Sequence, residues 1–340
     1  ADAAFPAPLW SRGLGDVYKR QGIPTIEFPN GDVIRDGVAI IDYFEALSGY
    51  TFSPTTPKQQ IVSQLLDAIG AEGLLRQCMH YRWNFDEDQG EFLKFHFQTL
   101  YPGEQASKER MHFIKTEVNP AWGVTPENHD LIESMHMSML SVLNAHFGDY
   151  PYFLGSKPCL GDFGMIAPLY GHLGRDPKPL SLMQQHAPRL YRWRERMNRP
   201  EPDIGEFTDK EEKYLDNDEV PNTLIDVLKQ FAIDFVPESQ AACDCTNQWI
   251  EANPDVPPLT EVERSVGDCT FEVLGRSITA NAQPFRFYML KRMQDTYDAL
   301  DDTNKNELDT LLSSCNMHEV LDMRLTREIG RHNNLSLIHI

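Results

Sequence analysis

The 340-residue chain is long enough for about two domains and a sizeable apolar core. Its formal net charge of −20 argues against binding to nucleic acid or to an anionic membrane surface, because both partners need basic patches. No apolar run approaches the roughly 20 residues that span a membrane, and the six scattered cysteines favour a reduced, intracellular protein without a metal site. We therefore expect a cytoplasmic protein whose partners are small molecules.

The two ends of the chain do not fit the pattern of the rest. Residues 1–21 lack strand alternation, and the run 11–21 resembles translated adapter sequence. The terminal run 335–340 has the same character. We interpret both as non-native segments and leave them out of the fold prediction, so that organelle targeting of the natural protein stays open.

The stretch 22–45 predicts a strand, a tight turn, a second strand and a helix. Residues 25–28 are rich in β-formers, and the Asn-Gly pair that follows favours a hairpin turn into a short strand at 33–34. Asp36 then stands where a helix N-cap is expected.

This stretch resembles the second half of the thioredoxin-like domain of glutathione S-transferases, with matches at Ile23-Pro24 and at Asp36-Gly37. The resemblance implies a cis bond before Pro24. It implies that Ile23 and Pro24 hold the peptide of glutathione, and that Asp36 and Gly37 hold its γ-glutamyl end at a helix N-terminus. Family members usually carry Ser at the position of Gly37, and the loss of that hydroxyl costs about 1 kcal/mol of hydrogen bonding.

Helical spacing of apolar residues predicts one all-helical domain over 58–205. Residues 153–163 resemble the capping motif of the glutathione S-transferase C-terminal domain. Asp162 matches the acidic residue of that motif, while Cys159 replaces the usual Ser or Thr. The resemblance implies that this motif serves folding rather than catalysis.

The segment His80-Tyr81-Arg82-Trp83 falls in the part of the helical domain that faces the co-substrate in the family. The resemblance implies that these four residues line the cleft for an apolar co-substrate. The alternative is that they are packing residues, since Met79 and Trp83 are four apart on one helix.

The composition changes after residue 205. Acidic residues and lysines crowd 206–219, which predicts a solvated linker at the start of an extension over 206–334. Within it we expect an amphipathic helix at 223–235, a hairpin around 270–278 and a helix at 285–300.

The predicted fold is therefore mostly α, with a truncated thioredoxin-like hairpin and helix (22–48), a helical domain (58–205) and a mixed α/β extension (206–334). The resemblance implies transfer of the glutathione thiolate to an electrophilic, apolar small molecule, with glutathione as the cofactor-like substrate, and leaves a homodimer open. No residue here matches the thiolate-stabilising group, which in the family precedes the proline, so the catalytic residue is unassigned and we expect this chain to be inactive.

The sequence leaves two other functions open. One is a non-catalytic binding or scaffold protein with the same fold, which Gly37 and the long extension favour. The other is a glutathione-linked reductase or dehalogenase, which would need a cysteine near the start of the thioredoxin-like domain.

Overall fold

The computed structural model describes residues 24–101, 103–332 and 335–338, with His332 and the last four described by their backbone. Residues 1–21 and Ile23 lie outside the described residues, and so does the Ile23–Pro24 peptide bond that was predicted to be cis. No helix in the described ranges has the length and apolarity that crossing a membrane requires.

The described chain begins with a hairpin and a helix. Strand β1 (Thr25–Glu27) pairs antiparallel with β2 (Val33–Arg35), and helix α1 (Gly37–Ser48) follows. The Asp36 side chain accepts a hydrogen bond from the Ala39 amide at 3.0 Å, which caps the helix. The predicted hairpin, helix and cap are confirmed.

Eight helices then form the helical region. They are α2 (Pro57–Glu72), α3 (Leu75–Trp83), α4 (Asp86–Leu100), α5 (Glu104–Phe113), α6 (His129–Asp149), α7 (Leu160–Gly171), α8 (Pro177–His186) and α9 (Pro188–Met197). Shorter helical segments at Ile114–Val118, Pro120–Trp122 and Pro126–Asn128 lead into α6. Together with the single small hairpin before them, these helices confirm the mostly α fold class.

Helix α2 lies at the centre of the core and approaches α7 very closely. A methyl group on Gly70 of α2 would overlap the backbone of Gly164 on α7, and one on Gly161 would meet the Cβ of Leu66 at 2.7 Å. The two helices therefore depend on glycine at their crossing, because any side chain there would force the backbones apart.

Helix α7 begins with the predicted capping box. The Asp162 carboxylate accepts hydrogen bonds from the Cys159 amide at 2.9 Å and from the Trp193 indole N–H at 2.8 Å, and all three residues are buried. Cys159 completes the box with its thiol in place of a hydroxyl. The cap therefore also fixes α9, which carries Trp193.

The extension and the terminal run 335–340 together add three helices and two hairpins. They are α10 (Asn222–Ala252), β3 (Asp268–Val273), β4 (Arg276–Asn281), α11 (Phe285–Asp298), α12 (Asp302–Ser314), β5 (Ile329–His332) and β6 (Leu335–Ile338), with short turns at Asp216–Asp218 and His318–Leu321. The predicted hairpin and helices are present, and α10 runs well beyond its predicted end. It continues through Pro237 with a buried apolar face.

The extension shares one apolar core with the helical region. Helix α11 packs on α2, and α10 packs on α6 and on strand β3. The acidic segment predicted as a solvated linker also makes specific bonds, because Asp218 accepts from the amides of Lys58 at 2.8 Å and Gln59 at 2.9 Å. These bonds satisfy free N–H groups at the start of α2.

Buried arginines reinforce this joint core. Arg76 of α3 donates to Asp234 at 3.0 Å and Glu238 at 3.1 Å on α10, and Arg286 of α11 donates to Glu238 at 3.2 Å and to Ser239 at 2.9 Å. Loss of one partner of such a network leaves an uncompensated buried charge, which costs about 3–5 kcal/mol. The network thus fixes how α10 and α11 sit on the helical region.

The glycine at the α2–α7 crossing can be tested with a matched pair of variants. We expect Gly70→Ala to lower the free energy of unfolding by about 1–3 kcal/mol, because the new methyl group overlaps Gly164. Gly90→Ala on α4 has its nearest neighbour at 3.8 Å and should instead stabilise by about 0.5–1 kcal/mol through helix propensity. Urea unfolding measures both, and equal effects of the two substitutions would refute the close contact.

Candidate site at the start of the first helix

The candidate site is the N-terminus of α1. Asp36 stands there with φ 64° and ψ 159°, a region that is essentially confined to glycine. Its amide donates to the Pro24 carbonyl at 2.9 Å, which brings these two predicted site residues into direct contact. Gly37 is next in the chain, and apart from its chain neighbours and the backbone of its own helix no described atom lies within 4 Å of the point where a Cβ would stand. The structure thus joins Pro24, Asp36 and Gly37 at a helix start that no other described residue covers at Gly37.

The Asp36 carboxylate is held by an arginine from the far end of the described chain. Arg331 of β5 donates through Nη1 to Oδ1 at 2.9 Å and through Nη2 to Oδ2, and it also donates to the Arg35 carbonyl at 3.1 Å. The guanidinium lies 5.7 Å from the centre of the Phe285 ring on α11. Sequence reasoning missed Arg331, because 295 residues separate it from Asp36 and no local pattern marks the pair.

A second arginine of the extension fixes α1 to the helical region. Arg292 of α11 donates to Asp42 on α1 at 2.6 Å and to Asp67 on α2 at 3.1 Å. Burial raises the pKa of Asp67 to about 7, against the opposing effect of Arg292, and raises the pKa of Asp42 as well.

At the other end of α1, the buried Glu45 accepts from the Ser53 hydroxyl at 2.7 Å.

The four residues predicted to line a co-substrate cleft lie on α3 in packed or paired positions. Tyr81 and Trp83 are each 2 % exposed. His80 is 1 % exposed, and burial lowers its pKa, with its Nε2 at 3.0 Å from Glu133. Arg82 donates to Asp176 at 2.6 Å. Each of the four side chains is thus buried or paired within the protein. That they line a co-substrate cleft stays a prediction.

Residues 133–201 match the family model described as the glutathione S-transferase C-terminal domain. The match supports membership of the glutathione S-transferase superfamily and confirms the resemblance of this part of the chain to the family's C-terminal domain. It covers about a fifth of the chain, from within α6 to just past α9, and includes the Asp162 cap. Comparisons with curated proteins and with solved structures gave no match.

The thiols of this glutathione S-transferase-like chain are not activated. All six cysteines are free, and burial raises the pKa of each of them, as in Cys78, whose pKa rises to about 12. A nucleophilic thiol needs the opposite shift. None of the six thiols therefore has the lowered pKa that a nucleophilic cysteine needs.

The free energy of unfolding should depend on pH through Asp67, which Arg292 links to α1. The pKa of Asp67 is about 7 in the folded state and near 4 in the unfolded state, so the folded protein binds the proton more tightly. Ionisation of Asp67 therefore lowers the free energy of unfolding as the pH rises from about 4 to 7. We therefore expect Asp67→Asn to gain stability relative to the unmodified protein between pH 5 and pH 8 in urea unfolding. Asp298→Asn is the control, because Arg324 lowers the pKa of Asp298 and keeps it ionised throughout. A growing advantage of the unmodified protein would show that Arg292 keeps Asp67 ionised.

Proposed function

We propose that this protein binds glutathione at the N-terminus of α1, with Asp36 and Gly37 holding the γ-glutamyl end and Ile23 and Pro24 facing the peptide. One observation carries the proposal. The backbone of Asp36 is held in a glycine-like conformation directly before an open helix start, and such strain is concentrated at ligand clamps and active sites.

The chemistry of the γ-glutamyl end suits these groups. Its ammonium requires an anion, which Asp36 supplies. Its carboxylate suits the amides of Gly37 and Val38, because the first amides of a helix have no intrahelical partner and stand at the positive end of the dipole. The Pro24 carbonyl accepts the Asp36 amide and so helps to hold the carboxylate in place.

For the bound thiol, transfer to an apolar electrophile is the reaction that membership of the superfamily suggests. We assign no thiolate-stabilising group among the described residues. The second candidate function is therefore binding without turnover, which the long extension beyond the matched domain favours. Incubation with glutathione and a generic aryl halide separates the two, since turnover supports transfer, and binding without turnover supports the second candidate.

The binding site is tested by restoring the hydroxyl that the family usually has. There is room for a side chain at Gly37, so we expect Gly37→Ser to lower the glutathione dissociation constant about five-fold, the worth of one hydrogen bond of about 1 kcal/mol. Gly37→Ala is the matched control, because it adds the Cβ without the hydroxyl. Isothermal titration calorimetry with glutathione measures all three proteins. Equal affinity of the Ser and Ala variants would place the γ-glutamyl end elsewhere.

A further inference from the structure

The Asp36 carboxylate is already occupied by a cation of the same chain. Arg331 contacts both of its oxygens in the two-pronged geometry that guanidinium and carboxylate favour. The pair is largely shielded, with 12 % of the Arg331 side chain and 30 % of the Asp36 side chain exposed. The remaining bond on Oδ1 is the helix cap to the Ala39 amide.

This occupancy conflicts with the ligand. On the proposed function, the ammonium of glutathione must approach the oxygens that Arg331 contacts. A guanidinium held on both oxygens leaves an incoming ammonium only the outer lone pairs, and it cancels the negative charge that attracts the ligand. Glutathione and the paired state of Arg331 therefore compete for Asp36.

The residues around Arg331 hold strand β5 on α11 and so place the guanidinium beside Asp36. Strand β5 packs against α11, with Ile329 buried and Glu328 paired to Lys291 at 3.4 Å. Arg331 also lies over the Phe285 ring of that helix. These contacts anchor β5 on α11 independently of Asp36, so that the guanidinium can leave the carboxylate while the strand stays attached.

We propose that Arg331 is an autoinhibitory group, which occupies the γ-glutamyl site through Asp36 and must leave before glutathione binds. The proposal rests on the proposed function. The apparent affinity for glutathione is reduced by the fraction of molecules in which the pair is closed. Removal of the guanidinium should therefore strengthen binding, whereas removal of an ordinary binding residue would weaken it.

The test is titration calorimetry of the whole protein with glutathione. We expect Arg331→Ala to lower the dissociation constant at least five-fold. Arg331→Gln should lower the dissociation constant to a similar extent. Its side chain keeps part of the aliphatic stem over Phe285, so this variant should stay folded even if Arg331→Ala does not. Arg327→Ala removes the same charge from the same segment and should bind like the unmodified protein. In an Asp36→Asn background, which retains a capping side chain, Arg331→Ala should have no effect.

The outcomes separate the two proposals. If Asp36→Asn weakens binding in the Arg331→Ala background but both Arg331 variants bind like the unmodified protein or more weakly, the site is right and autoinhibition is wrong. Weaker binding would mean that Arg331 itself contacts the ligand. If Asp36→Asn leaves binding unchanged when it is compared in the Arg331→Ala background, or if no variant binds glutathione, the proposed function fails and the autoinhibition proposal fails with it.

Discussion

The close crossing of α2 and α7 is the constraint on which the rest of the structure depends. Gly70 and Gly164 let the two backbones touch, and this contact places the Asp162 cap beside Trp193. The other faces of α2 then receive α11 and α12. Because interiors are close-packed, a shift of α2 would disturb all of these neighbours together. Asp67, on the same helix, carries the constraint to α1 through Arg292.

The extension is a structural part of the candidate site. Two of its arginines reach the N-terminal helix, Arg292 at Asp42 and Arg331 at Asp36. The buried pairs of Arg76 and Arg286 hold α10 and α11 in the orientation that lets them do so. The superfamily match ends at residue 201, so these contacts come from chain beyond the matched domain. The extension thereby controls both the position of α1 and the charge at its start.

Local sequence patterns predicted the helices, the hairpins and the helix cap. They did not predict the ion pairs between residues far apart in the sequence. The Asn-Gly turn and the Asp36 cap depend on neighbours within a few residues, so the sequence contains their full signal. Arg331 and Arg292 lie 295 and 250 residues from the carboxylates they bind, and nothing near them in the sequence marks those partners. Periodicity likewise left the setting of Trp83 open, because a buried face and a cleft-lining face have the same spacing.

The central claim is that the helical region and the extension form one folded unit around α2. Native-state hydrogen exchange measured by mass spectrometry tests it directly, because exchange reports the opening free energy of each segment. We expect the slowest amides of α2, α7 and α11 to exchange with the same free energy, equal to that of global unfolding. If α10 and α11 open at a much lower free energy while α2 and α7 stay protected, the extension is a separate folding unit and the two regions do not fold as one.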